Sequence, residues 1–290
     1  MKDFAGKVAV VTGAGSGFGR EFARIGAQLG MKLSLADIQP EALAATVDEL
    51  RGQGAQVIGE TVDVSRGADV ERLAQRTLDA YGAVHLLFNN AGVASGGLVW
   101  QNSVKDWEWV LGVNLWGVIH GVRTFVPIML AQGDECHVVN TASVAGLLSP
   151  QLMGVYNVSK HGVVTLTETL YQDLRVTGAR IGVSLLCPAF VPTGIAQSHR
   201  NRPADLQDSA APTASMIASQ KASEKAVSSG RISAAEVARM TFDAIGEDRF
   251  YVITHPKILA SVELRLQDVI AQRNPSDPFS FKPDVAHRPE

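Results

Sequence analysis

The run Thr12-Gly13-Ala14-Gly15-Ser16-Gly17-Phe18-Gly19 constrains this chain more than any other stretch. It comes after Lys7–Thr12, a short β-branched segment that predicts a strand, and precedes a helical pattern reaching about Gly30. A strand that stops on glycines and restarts as a helix leaves free N–H groups and a positive helix end at the turn. Without Cβ atoms, the backbone there can approach a pyrophosphate. The spacing is T-G-x-x-x-G-x-G, and the G-x-G-x-x-G dinucleotide fingerprint matches in no register. A glycine-rich loop alone is weak evidence; its place between strand and helix gives it value.

The rest of the chain keeps one rhythm. Strands are expected at Lys32–Ala36, 56–62, Val84–Phe88, His137–Thr141, Ile181–Cys187 and Phe250–Thr254. Helices are expected at 40–53, 66–82, 103–131, 154–178, 233–246 and 256–272, with short loops between. Alternation of this kind predicts a single-domain, Rossmann-type α/β fold: a doubly wound parallel sheet of about seven strands with helices on both faces. Ligands of such sheets bind at the C-terminal ends of the strands. The rhythm lapses once, from Pro188 to Ile232, where a loop carrying a basic knot (His199, Arg200, Arg202) leads to an Ala/Ser-rich helical stretch at 213–229. A loop that long in a compact domain is usually functional, and 188–232 is expected to be a substrate lid, with the knot on the surface. Residues 1–273 then form the domain, and 274–290, with four prolines, an extended tail.

Composition narrows the classes. A net charge of −3 gives no electrostatic footprint for nucleic acid or an anionic membrane. Two cysteines, 136 and 187, make neither a metal-ligand spacing nor a disulfide framework, which suits a reducing compartment; no metal is expected. The strand beginning at residue 7 leaves no room for a leader, and the apolar 110–130 region is broken by Asn114, His120 and Arg123, so no run is expected to span a bilayer. A cytoplasmic location is the expectation.

Tyr156 and Lys160 stand four residues apart in the helix predicted from Gly154, on one face and about 6 Å apart along the axis. Tyrosine ionises near 10, too high for proton exchange at neutral pH, and an adjacent ammonium favours the phenolate and lowers that value. Ser143 lies thirteen residues upstream, just past a strand end, with a hydroxyl able to hold a substrate oxygen. Asn114 is an amide in the apolar stripe Trp107, Val110, Leu111, Val118, Val122 and Phe125. Asp37 ends the second strand, placed to accept from an adenosine ribose hydroxyl. Neither Ser16 nor Ile38 supplies a cation for a 2′-phosphate, so NAD is the expected cofactor. The tryptophans at 100, 107, 109 and 116 are assigned to core or interface.

Together these residues resemble the short-chain dehydrogenase/reductase family, from residue 5 to about 255. The resemblance implies that Tyr156 is the general acid/base and that Lys160 tunes it and holds the nicotinamide ribose. Ser143 would polarise the substrate oxygen, and Asn114 would hold a proton-relaying water. It implies a cofactor site of Gly13, Ser16, Gly17, Phe18 and Gly19 at the pyrophosphate, Asp37 with Ile38 at the ribose, and Asp63 with Val64 at the adenine. Asn90, Ala91 and Gly92 would form the floor, with Pro188, Val191 and Thr193 beside the nicotinamide. Ala189 stands where the family pattern has glycine. Short stretches such as Gly112–Ile119 are also similar to bacterial aryl-ether Cα-dehydrogenases. The implied activity interconverts a secondary alcohol, aromatic alcohols included, and a ketone with NAD. The alternatives are an NADPH-dependent ketoacyl-type reductase and a dinucleotide-sensing regulator. Apolar residues on several faces of helices 103–131 and 154–178 point to a homodimer or homotetramer.

Overall fold

The computed structural model describes residues 1–280 and contains a seven-stranded, fully parallel sheet. Its strands are β1 (Val8–Thr12), β2 (Lys32–Asp37), β3 (Val57–Thr61), β4 (Leu86–Asn89), β5 (Cys136–Thr141), β6 (Ile181–Cys187) and β7 (Tyr251–Ile253). The helices between them are α1 (Gly17–Gln28), α2 (Pro40–Gly52), α3 (Gly67–Tyr81), α4 (Val104–Leu111), α5 (Gly117–Gln132), α6 (Gly154–Val176), α7 (Ala214–Ser228), α8 (Ala234–Gly246) and α9 (Leu259–Ile270). Strand order is β3-β2-β1-β4-β5-β6-β7, so direction reverses between β1 and β4 and opens a crevice at their C-terminal ends. Strands such as β1 (VAVVT) are buried along their whole length because helices cover both faces. Phe22 of α1, Leu43 and Leu50 of α2, and Phe242 of α8 fill one side. Leu73 of α3, Phe125 and Met129 of α5, and Leu170 of α6 fill the other.

The segment 104–132 departs from the expected stripe. Ser103 and Asp106 form the capping box that opens it, as expected. At Gly112–Trp116 the helix then widens to one π turn. The extra residue offsets the face of α5 from that of α4, so Trp109 and Val110 turn inward on α4, and Val118, Gly121, Phe125 and Met129 on α5. Trp107 is only partly buried, and Trp100 and Trp116 are exposed, so only Trp109 of the four is a core residue. Val104–Gln132 is 29 residues long and apolar enough, by length and composition, to cross a membrane. Its apolar residues pack against α3, α6 and the sheet, as those of a core helix do.

The segment 188–232 is more ordered than its composition implies. Two 3₁₀ turns, Gly194–Asn201 and Ala204–Leu206, lead to α7, which Thr213 caps. Two hydroxyls help fasten α7 to the body, beside Met216, which lies against Gly97. Ser219 Oγ donates to Leu152 O (2.9 Å), and Ser215 Oγ accepts from the Leu98 N–H (3.0 Å). Residues 274–280 lie in irregular and turn structure with Ser276 N–H donating to Asp268; the rest of the expected tail, 281–290, lies outside the described residues.

A buried polar chain joins strands to helix: Asn89 Nδ2 donates to Asn140 Oδ1 (2.8 Å), and Asn140 Nδ2 to Thr167 Oγ1 of α6 (3.0 Å). Gly121 of α5 lies flat on Asn89, and a Cβ there would collide with the Asn89 carboxamide. Gly121→Ala is therefore expected to destabilise the fold by about 1–3 kcal/mol, the usual range for overpacking a tight core. Gly52→Ala, at a helix end with open space around it, is expected to be neutral. Denaturant melts of both variants check this, and equal stabilities would contradict it.

Candidate active site

The site begins where β1 and β4 part. Thr12 Oγ1 donates to Phe88 O (3.2 Å) and accepts from the N–H groups of Asn90 (2.9 Å) and Ala91 (3.1 Å). Asn90 Nδ2 donates back to Thr12 O (2.9 Å). Gly13 adopts φ +67° with Ala91 against its Cα, and a side chain at Gly19 would strike the Gly13 carbonyl. These two glycines let the loop fold flat over the strand ends. Ser16 is the N-cap of α1, yet its side chain caps nothing, and the first turn carries no acidic residue. The positive end of α1 is thus left open toward the crevice, unlike α4 and α8, whose ends are closed by capping boxes.

On the β2 side, Asp37 accepts from the Gly15 N–H (2.8 Å) and the Gln39 N–H (2.9 Å), holding the glycine loop against the strand end. Gln39, not Asp37, occupies the N-cap position of α2, and its side chain makes no capping bond there. Asp63 accepts from the Ser65 N–H (3.0 Å) and hydroxyl (2.7 Å).

Ser143, Tyr156 and Lys160 converge on the β5 side, all three buried. Lys160 is 2% exposed, and its Nζ donates to Thr141 O (2.9 Å) at a distance of 5.7 Å from the Tyr156 ring centre. Ser143 Oγ donates to Pro188 O (3.3 Å) and accepts from the Ala145 N–H (3.1 Å), so its proton must swing away from Pro188 to reach a ligand. Burial pushes the Tyr156 phenol up to about 12, partly offset by the neighbouring Ser143 hydroxyl, and pushes the Lys160 ammonium down to about 8. The expectation that Lys160 lowers the phenol's pKa is not met in this state. Desolvation sets the phenol's shift, and the Lys160 ammonium is turned toward the Thr141 carbonyl.

Asn114 sits in the π turn, fully buried. Its Oδ1 accepts from the Val93 N–H (2.8 Å), and its Nδ2 donates to Val93 O (2.9 Å) and Ser159 Oγ (3.1 Å). Its side chain fixes the β4–α4 segment to α6. It remains next to the site: a Cβ on Gly92 would lie 3.5 Å from Asn114 Oδ1 and 3.7 Å from Lys160 Nζ.

One cavity of about 660 Å³ runs the length of this edge. Gly13, Ser16, Gly17, Phe18, Asp37, Ile38, Asp63, Val64, Asn90, Ala91, Gly92, Ser143, Tyr156, Lys160, Pro188, Val191 and Thr193 all line it. Gly19 and Asn114 do not; they support the lining from behind. The sequence reading missed the far wall, built by Trp109, Leu148, Met153, Phe190 and Leu206. Next to Met153, Leu152 takes the left-handed conformation (φ +59°), uncommon for a non-glycine residue and enriched at functional loops. The absence of a cation near Asp37 is also corrected. The chain brings Arg200 into this cavity, whose lining also includes Asp37, Ile38 and Gln39. Nothing local to residue 37 announces an arginine 163 positions away. Among the described residues no cluster of potential metal ligands occurs.

The sequence profile of the short chain dehydrogenases matches residues 7–204, more than half of the chain. This chain belongs to the short-chain dehydrogenase/reductase family and is an oxidoreductase. It is 33% identical over 278 residues to a CLA biosynthesis dehydrogenase/reductase of Lactiplantibacillus plantarum, covering 95% of this chain and 97% of that one. It is 33% identical over 283 residues to a C alpha-dehydrogenase of Sphingobium, covering 96% and 90%. A short chain dehydrogenase/reductase from Burkholderia phymatum, solved in complex with NAD, is 61% identical and superposes with a TM-score of 0.95 over 97% of this chain and 100% of that one.

The inverted order of the two pKa values can be read directly. The phenolate absorbance of Tyr156 in the unliganded protein, taken as wild type minus Tyr156→Phe, is expected to appear with a midpoint near 12. Burial disfavours the charged phenolate, so the shift is upward. A midpoint at or below the ordinary value of about 10 would contradict the desolvation account.

Proposed function

We propose that this protein is an NAD-dependent oxidoreductase that interconverts a secondary alcohol and a ketone, with Tyr156 as general acid/base. The observation that carries this reading is that Ser143, Tyr156 and Lys160 converge in the same cavity as the glycine loop and the open end of α1. The residues present fit a dinucleotide. Backbone N–H groups from Ser16 to Phe18 would meet the pyrophosphate, Asp37 the ribose hydroxyls, Asp63 and Val64 the adenine, and Pro188, Val191 and Thr193 the nicotinamide end. When bound, the dinucleotide accepts or delivers the hydride.

The chain's own residues handle the oxygen and its proton. In reduction, the Tyr156 phenol donates its proton to the oxygen that develops negative charge, while the Ser143 hydroxyl, released from Pro188, donates a second hydrogen bond. In oxidation, the phenolate takes the hydroxyl proton. With the phenol raised by burial, the protonated form dominates in the unliganded site, and the oxidative direction needs added positive charge to draw the phenol down. Asn114 serves this chemistry by holding Val93 and Ser159 in place. The apolar wall of Trp109, Leu148, Met153 and Phe190 suits a bulky or aromatic substrate better than a small hydrophilic one. Trp116, half exposed and 5.6 Å from His120, and Val158 on α6 offer an apolar face for a second copy of the chain, so the working form is a homodimer or homotetramer.

Assay of NADH absorbance against a panel of secondary alcohols, aromatic ones included, tests the reading. Tyr156→Phe is expected to retain NADH binding and lose activity by about 10²–10⁴-fold, the usual contribution of a general acid/base. Retention of more than about a tenth of the wild-type rate would remove Tyr156 from that role. The second expectation concerns cofactor choice. A 2′-phosphate beside Asp37 would bring like charges together, so NAD is expected to be favoured over NADP by about a hundredfold in kcat/KM. Asp37→Ala with Ile38→Arg should narrow or reverse the preference. Equal use of both cofactors by wild type would refute the role of Asp37 and turn attention to Arg200 as a phosphate partner.

A further inference from the structure

The basic knot of the lid is expected on the surface, and Arg202 is not there. Its side chain is 15% exposed and that of its partner Asp106 is 4% exposed. All parts of the guanidinium are engaged. Nη1 donates to Asp106 Oδ1 (2.6 Å), Nη2 to Asp208 Oδ2 (3.2 Å) and Nε to Leu206 O (2.7 Å), while the guanidinium carbon stands 5.3 Å from the centre of the Trp109 ring. Asp106 spends its other oxygen on the Ser103 N–H (2.9 Å), so it closes the end of α4 and receives the arginine at the same time. Two further bonds run the same way: Ser103 Oγ donates to Asp208 Oδ2 (2.9 Å), and Lys105 Nζ to Gln207 O (2.9 Å).

The residue before Arg202 fastens in the opposite direction. Asn201 Oδ1 accepts from Gln39 Nε2 (2.6 Å), two positions beyond Asp37. Residues 201–208 therefore run as a strap from the β2–α2 loop, on the cofactor side of the cavity, to the start of α4, on its far side. What the strap holds is the far wall. Leu206 packs with Trp109, Val93, Val110 and Val155, and Val155 directly precedes Tyr156. Trp109 and Leu206 both face the cavity.

We infer that Arg202 is a positioning residue for the substrate: by pinning the strap to Asp106 and stacking on Trp109, it fixes the wall against which the alcohol or ketone is placed. It touches neither substrate nor cofactor and acts through Trp109 and Leu206. Planar, bidentate geometry suits this task, since a lysine would supply one point charge in place of a fork that spans Asp106, Asp208 and the Leu206 carbonyl. Loss of the guanidinium would also leave the buried Asp106 carboxylate without its cation, which favours release of the strap. The inference rests on reading the cavity as an alcohol and ketone site.

The test measures hydrogen exchange of residues 201–208 with NADH bound, together with steady-state kinetics, in wild type, Arg202→Met and Arg202→Lys. Methionine keeps an apolar stem over Trp109 and removes the fork. Arg202→Met is expected to exchange at least about tenfold faster across the strap and to raise KM for the best alcohol by about tenfold or more, with kcat and KM for NAD within about threefold. Arg202→Lys should fall between it and wild type. Either readout left unmoved in Arg202→Met overturns the inference, as does a loss confined to kcat. Should Arg202→Met fail to fold, Arg202→Lys carries the same test, and wild-type exchange and KM in that variant overturn it. If wild type turns over no alcohol in the panel, the proposed function fails; exchange that quickens in Arg202→Met then upholds the pinned strap, and exchange that does not overturns it.

Discussion

A lysine ammonium almost wholly removed from water, held by one carbonyl, is the constraint on which this site depends. Moving a charged group into the interior costs several kcal/mol unless hydrogen bonds and opposing charges replace its water. Lys160 makes one such bond, donating to Thr141 O, and the shift of its pKa to about 8 records the shortfall. A fold tolerates such a group when the group serves something other than stability. The hydroxyls of a ribose and the oxygen of a phenolate are the partners that this ammonium lacks, and both belong to the proposed ternary complex.

The scaffold around that lysine is built to keep the cavity open. Thr12 and Asn90 knit the two halves of the sheet at the reversal of strand order, and the chain Asn89–Asn140–Thr167 ties β4 and β5 to α6. Asn114 fixes the neighbouring segment from its π turn. Each of these polar side chains is buried or nearly so and has its partners, so together they set positions without leaving costly unpaired groups. The glycine loop contributes the reverse: an uncapped helix end whose N–H groups face the cavity.

Much of this was legible in the sequence, for physical reasons. Strands buried on both faces must be continuous apolar runs, and helices must show their period, so the parallel sheet and its order of elements could be read within a residue or two. Tyr156 and Lys160 were legible because a helix fixes the relation of positions four apart, Ser143 because it follows a strand's C-terminal end, and Asn114 because an amide interrupts an apolar stripe; the resemblance to short-chain dehydrogenases supplied a role for Asn114. The π turn was hidden, since one extra residue in a helix changes which of Trp107 and Trp109 turns inward and leaves no mark in composition. The partners of Arg202 were hidden too, because the pairing with Asp106 spans 96 positions and has no period. The pKa order of Tyr156 and Lys160 depends on burial of both groups, which spacing alone does not contain. Chemistry set by local geometry could be read; chemistry set by desolvation and long-range pairing could not.

The central claim is that this cavity carries out hydride transfer between a secondary carbinol and a nicotinamide, with Tyr156 managing the proton. Turnover of an alcohol deuterated at its carbinol carbon, with NMR of the recovered dinucleotide, tests it most directly. The account predicts deuterium at C4 of the nicotinamide, on one face, and no transfer above background in Tyr156→Phe. A dinucleotide recovered without deuterium from enzyme that binds it and consumes the alcohol would contradict the account.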